Sequence, residues 1–434
     1  MGPRALFHAA MKPRHLLVLG GSAGQHNLIR RARADGFFVT VADVNPHAVA
    51  VGDANAFFAV STFDVPGVTE AARRLGCDAV VAVGSDQPVY TAAVASAELG
   101  LPFPLSPEVA LRVTNKREMK QTLTEAGIPV APWRILHRDD TSAALGGLAP
   151  DFVIKPVDSQ GQRGIALLPD AAMVVDHLPR TLEHSRCDYA IVETYYPSNE
   201  VTVSGWVRSG RAHIFAVTDR VTMPSATSLG VCPAHRYPSA HAAGHHDEVR
   251  EITQATVDAL GIPEGPIYFQ LLIGDQGVRV NEAACRLGGA YEDESIPLVG
   301  AVDLIALQLS LCRGDLPALP HEPSSPHPVG TDRAFLVPLL FCRPGTLTGY
   351  RGLQRIAGFP GVHTIRILLP IGTVVGTMTN STQRAGYAVI AGPDIDAVNR
   401  ALTHLFSELI MEGDEGENLL MDTEALCRHP GAER

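Results

Sequence analysis

The stretch Pro266–Gly289, PIYFQLLIGDQGVRVNEAACRLGG, decides how the rest of the chain is read. Apolar residues alternate on both sides of Asp275–Gly277, the pattern of two antiparallel strands joined by a tight turn. That pairing sets Gln270 against Glu282 with their oxygens directed at a common point. Two such oxygens suit Mg²⁺, a hard cation that completes its octahedron with water and phosphate oxygens. Arg286 and the pair Gly288–Gly289 follow at once, and a guanidinium beside a bound cation is a clamp for carboxylate or phosphate. Taken alone, the segment fits equally an edge hairpin whose polar residues face water.

Three upstream segments add candidate partners. In TNKREMKQTLTEAGIPVAPW, from Thr114 to Trp133, Asn115 caps an expected helix that carries Lys116 in its first turn and ends near Gly127 and Pro129. In DFVIKPVDSQGQRGIAL, from Asp151 to Leu167, Lys155 follows the apolar run Phe152–Ile154 and precedes Pro156. Its backbone is then buried while its ammonium must find an anion or snorkel to water. The residues after it, Asp158–Gly164, form a small polar loop whose glycines permit positive φ and so turn N–H groups toward phosphate oxygens. In AIVETYYPSNEVTVSGW, Glu193 ends one apolar strand and Glu200 begins the next; both also fit exposed strand-end carboxylates.

In this order, these residues resemble the ATP-grasp superfamily of carboxylate–amine ligases, over nearly the whole chain from about Met11. The resemblance implies ATP with one or two Mg²⁺ ions, Mn²⁺ being an alternative, and Gln270 and Glu282 as metal ligands. It implies that Lys116, Lys155, Arg163 and the loop residues Ser159, Gln160, Gly161 and Gly164 hold the triphosphate. Glu193 would read the adenine amino group, Tyr195 and Tyr196 cover the purine, and Glu200 hold the ribose hydroxyls. Arg286 would stabilise the transferred phosphoryl group, with Gly288 and Gly289 beside the substrate. Glu292, Asp293 and Glu294 would attract an amine, although an acidic run is equally a hydrated loop. Arg384 would face the acceptor site, or else serve the strand it stands on. Gly21 and Ser22 would lend a glycine loop to one substrate. One position departs from the pattern: the usual run Glu-x-Asn-x-Arg reads Glu282-Ala283-Ala284-Cys285-Arg286. Asn281, one residue before Glu282, is expected on the opposite strand face.

The expected fold is α/β. After an extension at residues 1–10, an N-terminal doubly wound parallel-sheet domain spans 11–108, since strands HLLVLGG and FFVTVAD alternate with amphipathic helices. A nicotinamide-binding reading of this domain fails because Gly20, Gly21 and Gly24 fit no register of G-x-G-x-x-G. A two-lobed ATP-grasp domain of α+β type follows at 109–318 with its lid at about 134–198. A mixed α+β C-terminal domain occupies 319–434 beyond the linker DLPALPHEPSSPHPVG.

The formal charge of −11 and the lack of a basic run argue against a nucleic-acid surface. No apolar run approaches the ~20 residues that cross a bilayer, so no membrane partner is expected. Seven cysteines without paired spacing read as reduced thiols in a cytoplasmic protein. A homodimer is the expected assembly. The expected reaction is phosphorylation of a small carboxylate to an acyl phosphate, then coupling to an amine with release of ADP and phosphate. The alternatives are a carboxylase-type enzyme that phosphorylates bicarbonate and a nucleotide-binding regulator without chemistry.

Overall fold

The computed structural model describes residues 13–223, 229–300, 302–316, 318–319 and 333–430. The extension at residues 1–10 and most of the linker at 315–330 lie outside the described residues. The fold is mixed α/β as expected, with a parallel sheet first and antiparallel sheets after it.

The parallel sheet runs in the order Ala56–Ala59, Phe38–Asp43, His15–Leu19, Ala79–Val81. Ala79–Val81 adds to His15–Leu19 on the side away from Phe38–Asp43, so the strand order reverses between them. The loops that follow these two strands, 20–25 and 84–86, stand at that switch point, where open α/β sheets leave a crevice for ligands. Gln25 Nε2 donates to Val83 O across the gap at 2.5 Å.

A second sheet of eight strands begins with the hairpin, Gly277–Ala284 and Glu264–Gly274. It continues through Asn199–Arg208, Arg211–Val221 and Ala234–Tyr237 to Ala334–Leu340, Gly386–Gly392 and Val362–Ile367. Backbone hydrogen bonds thus carry one sheet from the hairpin into the last part of the chain. Phe269, Leu271, Ile273, Val278 and Val280 are buried on one face of the hairpin, and each full burial of such a side chain contributes roughly 1.5–3 kcal/mol. That stripe fixes which residues face the other way.

A third, four-stranded antiparallel sheet orders Trp133–His137, Tyr189–Thr194, Phe152–Pro156 and Ala166–Leu168. The helix Ala171–Leu182 packs on it through Val174 and Leu178, which close a separate small core with Phe152 and Ile154. The cavity-facing end of this lobe carries Lys155 and Glu193.

One irregularity in the hairpin shapes the site. Gln270 pairs with Glu282, but Leu271 pairs with Val280, so Asn281 is an extra residue with no opposite number. Such a bulge breaks strict alternation. Asn281 and Glu282 are both half-buried and both line the same cavity, while Ala284 is buried. The expectation that Asn281 faces the opposite side is therefore corrected.

Candidate active site

The hairpin, the lobe of the four-stranded antiparallel sheet, the switch-point loop and the C-terminal segment enclose a cavity of about 470 Å³. Its polar walls are built from ion pairs. Asn115 caps the helix Lys116–Glu125, its Oδ1 accepting from Arg117 N at 3.0 Å and Glu118 N at 3.3 Å. This fixes Lys116 in the first turn, where the helix dipole disfavours a cation. Glu282 offsets that cost, its Oε1 lying 3.1 Å from Lys116 Nζ, which also donates to Ser159 O at 2.7 Å. Burial pushes the Glu282 carboxyl up, but Lys116, with Arg286 and Lys155, outweighs it and holds the group below its ordinary range.

Lys155 ends the strand Phe152–Pro156 and donates to Glu193 Oε2 and Asn281 Oδ1, each at 3.0 Å. Lys120 stands one helical turn beyond Lys116; its Nζ lies 3.4 Å from Glu193 Oε1 and donates to Val280 O at 3.2 Å. Glu193 is thus held between two ammonium groups. Burial raises its pKa, yet the two lysines together prevail and it stays below the ordinary carboxylate value. Burial pushes Lys120 down to about 8, against the attraction of Glu193 and with the repulsion of Lys155.

Arg286 is buried against Asp86, whose Oδ1 accepts from Arg286 Nε at 2.6 Å, and its guanidinium stacks 4.7 Å from the Tyr268 ring centre. Glu200 pairs with Arg220, which also donates to Gly230 O at 2.9 Å. The cavity walls therefore carry Lys116, Lys155, Arg163, Arg220, Arg286 and Arg384 against Asp86, Glu193, Glu200 and Glu282. Four cations have carboxylate partners. Arg163 and Arg384 have none among the described residues: Arg163 Nε donates to Gln160 O at 3.2 Å and Arg384 Nη1 to Gly289 O at 3.0 Å. Walls with this surplus of positive charge suit a polyanion. His235 adds no charge, since burial depresses its pKa to about 3.

The loop 158–164 is seated on its neighbours. Gly161 and Gly164 have φ of +70° and +71°, a backbone conformation that glycine adopts at no steric cost. A Cβ on Gly161 would meet Thr382 at 2.6 Å. Gln160 Oε1 accepts from Asp86 N at 2.6 Å, so the loop touches both the N-terminal domain and the C-terminal segment.

Of the residues expected at the site, Lys116, Lys155, Ser159, Gln160, Gly161, Arg163, Glu193, Tyr195, Tyr196, Glu200, Gln270, Glu282, Arg286, Gly289 and Arg384 line this cavity. Others do not line it among the described residues. Gly164 packs under the loop, with Thr181 Oγ1 donating to its carbonyl at 3.0 Å. Gly21 N donates to Asp43 Oδ2 at 2.8 Å and Ser22 N to Gln25 Oε1 at 2.9 Å, so that loop satisfies itself. Glu292 lies against Gly288 and accepts from Ala290 N at 3.1 Å, and burial raises it to about 7. Glu294 accepts from Tyr387 OH at 2.7 Å, Thr364 Oγ1 at 2.6 Å and Asn27 Nδ2 at 2.8 Å, joining three parts of the chain. Tyr196 braces the hairpin turn, its OH donating to Gly277 O at 2.8 Å.

Asp86, Lys120, Arg220 and the orientation of Asn281 escape local motifs. Lys120 had one legible signal, its spacing of four from Lys116, which puts both ammonium groups on one helix face.

Glu282 and Gln270 offer hard oxygens of the kind Mg²⁺ takes, although Gln270 presents Nε2 to Glu282 Oε2, at 3.3 Å. No cluster of three or more His, Cys, Asp or Glu suited to a metal occurs among the described residues. A cation here would thus rely on these amide and carboxylate oxygens together with water and phosphate. Among the described residues, no single helix is long and apolar enough to cross a membrane, and all seven cysteines are free thiols.

Residues 337–412 match the L-amino acid ligase C-terminal domain 2. An uncharacterized protein, y4rH, of Sinorhizobium fredii is 26% identical over 343 residues, 76% of this chain and 65% of that protein, so the match spans just under two thirds of its relative. The L-amino acid ligase of Bacillus licheniformis superposes with a TM-score of 0.74 at 15% identity, over 92% of this chain and 98% of that one. The biotin carboxylase domain of Hydrogenobacter thermophilus 2-oxoglutarate carboxylase, a dimer with MgADP and bicarbonate, gives 0.72 at 13% identity, over 91% and 90%. What this chain shares with these two structures is their fold, and its residues 337–412 share the sequence pattern of the L-amino acid ligase C-terminal domain 2.

Proposed function

We propose that this protein is an ATP-dependent, ADP-forming ligase that joins a small carboxylate, such as an amino acid, to an amine. The observation that carries the reading is the row of cations around one cavity, with Lys116 and Lys155 facing Glu282, Asn281 and Glu193 and with Arg286 beyond them. A triphosphate entering this space exchanges the carboxylate partners of the lysines for phosphate oxygens, a stronger match for ammonium and guanidinium donors. Tyr195 and the hinge after Glu193 supply the wall for the base, and Glu200 the acceptor for sugar hydroxyls. Gln270 and Glu282 would hold Mg²⁺, which offsets the charge of the β- and γ-phosphates when bound.

In this reading a carboxylate oxygen attacks the γ-phosphorus in line, the bond to the β-phosphate oxygen breaks, and ADP leaves. Arg286 and Arg163 hold the negative charge that spreads over the transferred group. The amine nitrogen then attacks the acyl carbon, phosphate departs, and the nitrogen gives up a proton. The loop 158–164, seated between Asp86 and Thr382, keeps water from the mixed anhydride. Catalysis on this account is positioning and electrostatics. Free thiols support a cytoplasmic site of action, and the dimeric state of the Hydrogenobacter domain supports a homodimer.

Phosphate release from ATP across a matrix of amino acids, dipeptides and other small carboxylates, with product masses read in parallel, tests the proposal. ADP formation that depends on both a carboxylate and an amine supports it. ADP release with bicarbonate alone points to carboxylase chemistry, and AMP with pyrophosphate contradicts the mechanism.

A further inference from the structure

We infer that Asn281, delivered into the cavity by the hairpin bulge, supplies a third side-chain oxygen to the divalent cation held by Gln270 and Glu282. The inference rests on the ligase reading and adds a residue to it. Three observations lead to it. First, the bulge leaves Asn281 unpaired and turns it to the face that Glu282 occupies. Second, its amide orientation is fixed by chemistry. An ammonium has donors only, so the atom of Asn281 that meets Lys155 Nζ at 3.0 Å is the oxygen. The adjacent Glu282 likewise faces an ammonium, Lys116, at 3.1 Å. Two neighbouring oxygens are thus already aimed at positive charge. Third, the alternatives on the hairpin are poor. Gln270 shows Nε2 toward Glu282 and must turn its amide to offer oxygen. Ala284, two residues beyond Glu282, is a buried methyl. A hard cation that needs about six oxygens gains from a neutral hairpin oxygen that already points inward beside Glu282. When triphosphate engages Lys155, that oxygen is released.

The test is Mn²⁺ binding followed by electron paramagnetic resonance in the presence of ADP, with circular dichroism to confirm folding. Wild type is expected to bind Mn²⁺ with ADP, Asn281→Ala to weaken Mn²⁺ affinity by about tenfold, the scale of a lost contact in a metal's surroundings, and Asn281→Asp to restore it. Lys155→Met separates the two possible roles of Asn281. If Asn281 merely positions Lys155, Asn281→Ala changes ADP affinity measured without metal, leaves Mn²⁺ affinity at the wild-type value, and the inference is overturned. Failure of wild type to retain Mn²⁺ with ADP overturns the ligase reading as well, whereas normal wild-type binding with an unaffected Asn281→Ala variant removes only this inference. Lys155→Met is expected to weaken ADP without weakening Mn²⁺ at saturating ADP; a loss of Mn²⁺ equal to that of Asn281→Ala contradicts a direct contact.

Discussion

Asp86 and Arg286 form a buried ion pair across 200 residues of sequence, Oδ1 lying 2.6 Å from both Nε and Nη2. The pair joins the switch point of the parallel sheet to the loop that leaves the hairpin, and Gly84 N donates to Leu287 O at 3.0 Å beside it. A charge pair taken out of water is a poor source of net stability, but one partner left alone is costly. Asp86 therefore holds the Arg286 guanidinium in place.

Asp86→Ala is expected to lower unfolding free energy by about 3–5 kcal/mol, the cost of stranding a buried charge. The double variant Asp86→Ala/Arg286→Met should recover much of that loss while remaining inactive. Urea denaturation of the three proteins measures this, and equal stability of Asp86→Ala and wild type contradicts the role given to the pair.

Arg286→Ala and Glu282→Ala are each expected to lower kcat by roughly 10²–10³, as when one preorganised charge-stabilising group is lost. Steady-state phosphate release with the substrates found in the screen provides the comparison. Near-normal turnover in both variants contradicts the assignment.

The fold was largely legible because its signals are local. The alternation around Asp275–Gly277, the Asn115 cap before Lys116 and the glycines of 158–164 are each contained in a few residues, and each stands where the sequence indicates. The partners of the cations were not legible. Asp86 reads as an ordinary helix-start acid, and only the contact with Arg286 reveals its role. Arg220 lies in an apolar strand with no motif and meets Glu200 through the pairing of two strands. At Asn281 the rule of alternation misled, because a single extra residue in one strand puts two successive side chains into the same cavity. The packing of the acidic run was not legible either, since the contacts of Glu292 with Gly288 and of Glu294 with Tyr387 cannot be read from charge alone.

Lys120 gives a dependence on pH with a definite sign. Its pKa in the fold is about 8, below the ordinary 10.5. Between these values the unfolded chain binds more protons than the folded one, so this group makes stability rise with pH across that window. Relative to Lys120→Met, wild type should gain stability from pH 8 to 10.5 and show no such relative gain from pH 6 to 7. Thermal melting of the pair across this range checks it, and a constant difference contradicts the placement of Lys120.

Among the described residues, Arg384 is the wall cation without a carboxylate partner that lies farthest along the chain, and it contacts Gly289 O and the Tyr291 ring, 5.3 Å away. Arg384→Ala is expected to raise KM for a carboxylate-bearing substrate by roughly 10–100-fold, the worth of a hydrogen bond to a charged group at ~1.5–3 kcal/mol, with kcat little changed. KM for ATP should stay near wild type. A larger effect on ATP than on the carboxylate places Arg384 with the nucleotide instead.

The path of one oxygen atom tests the central claim most directly. With the carboxylate substrate labelled with ¹⁸O and the nucleotide products separated by mass, the account predicts one ¹⁸O in the inorganic phosphate and ADP as the nucleotide. Label appearing in AMP, or phosphate released without label, contradicts an acyl phosphate formed in this cavity.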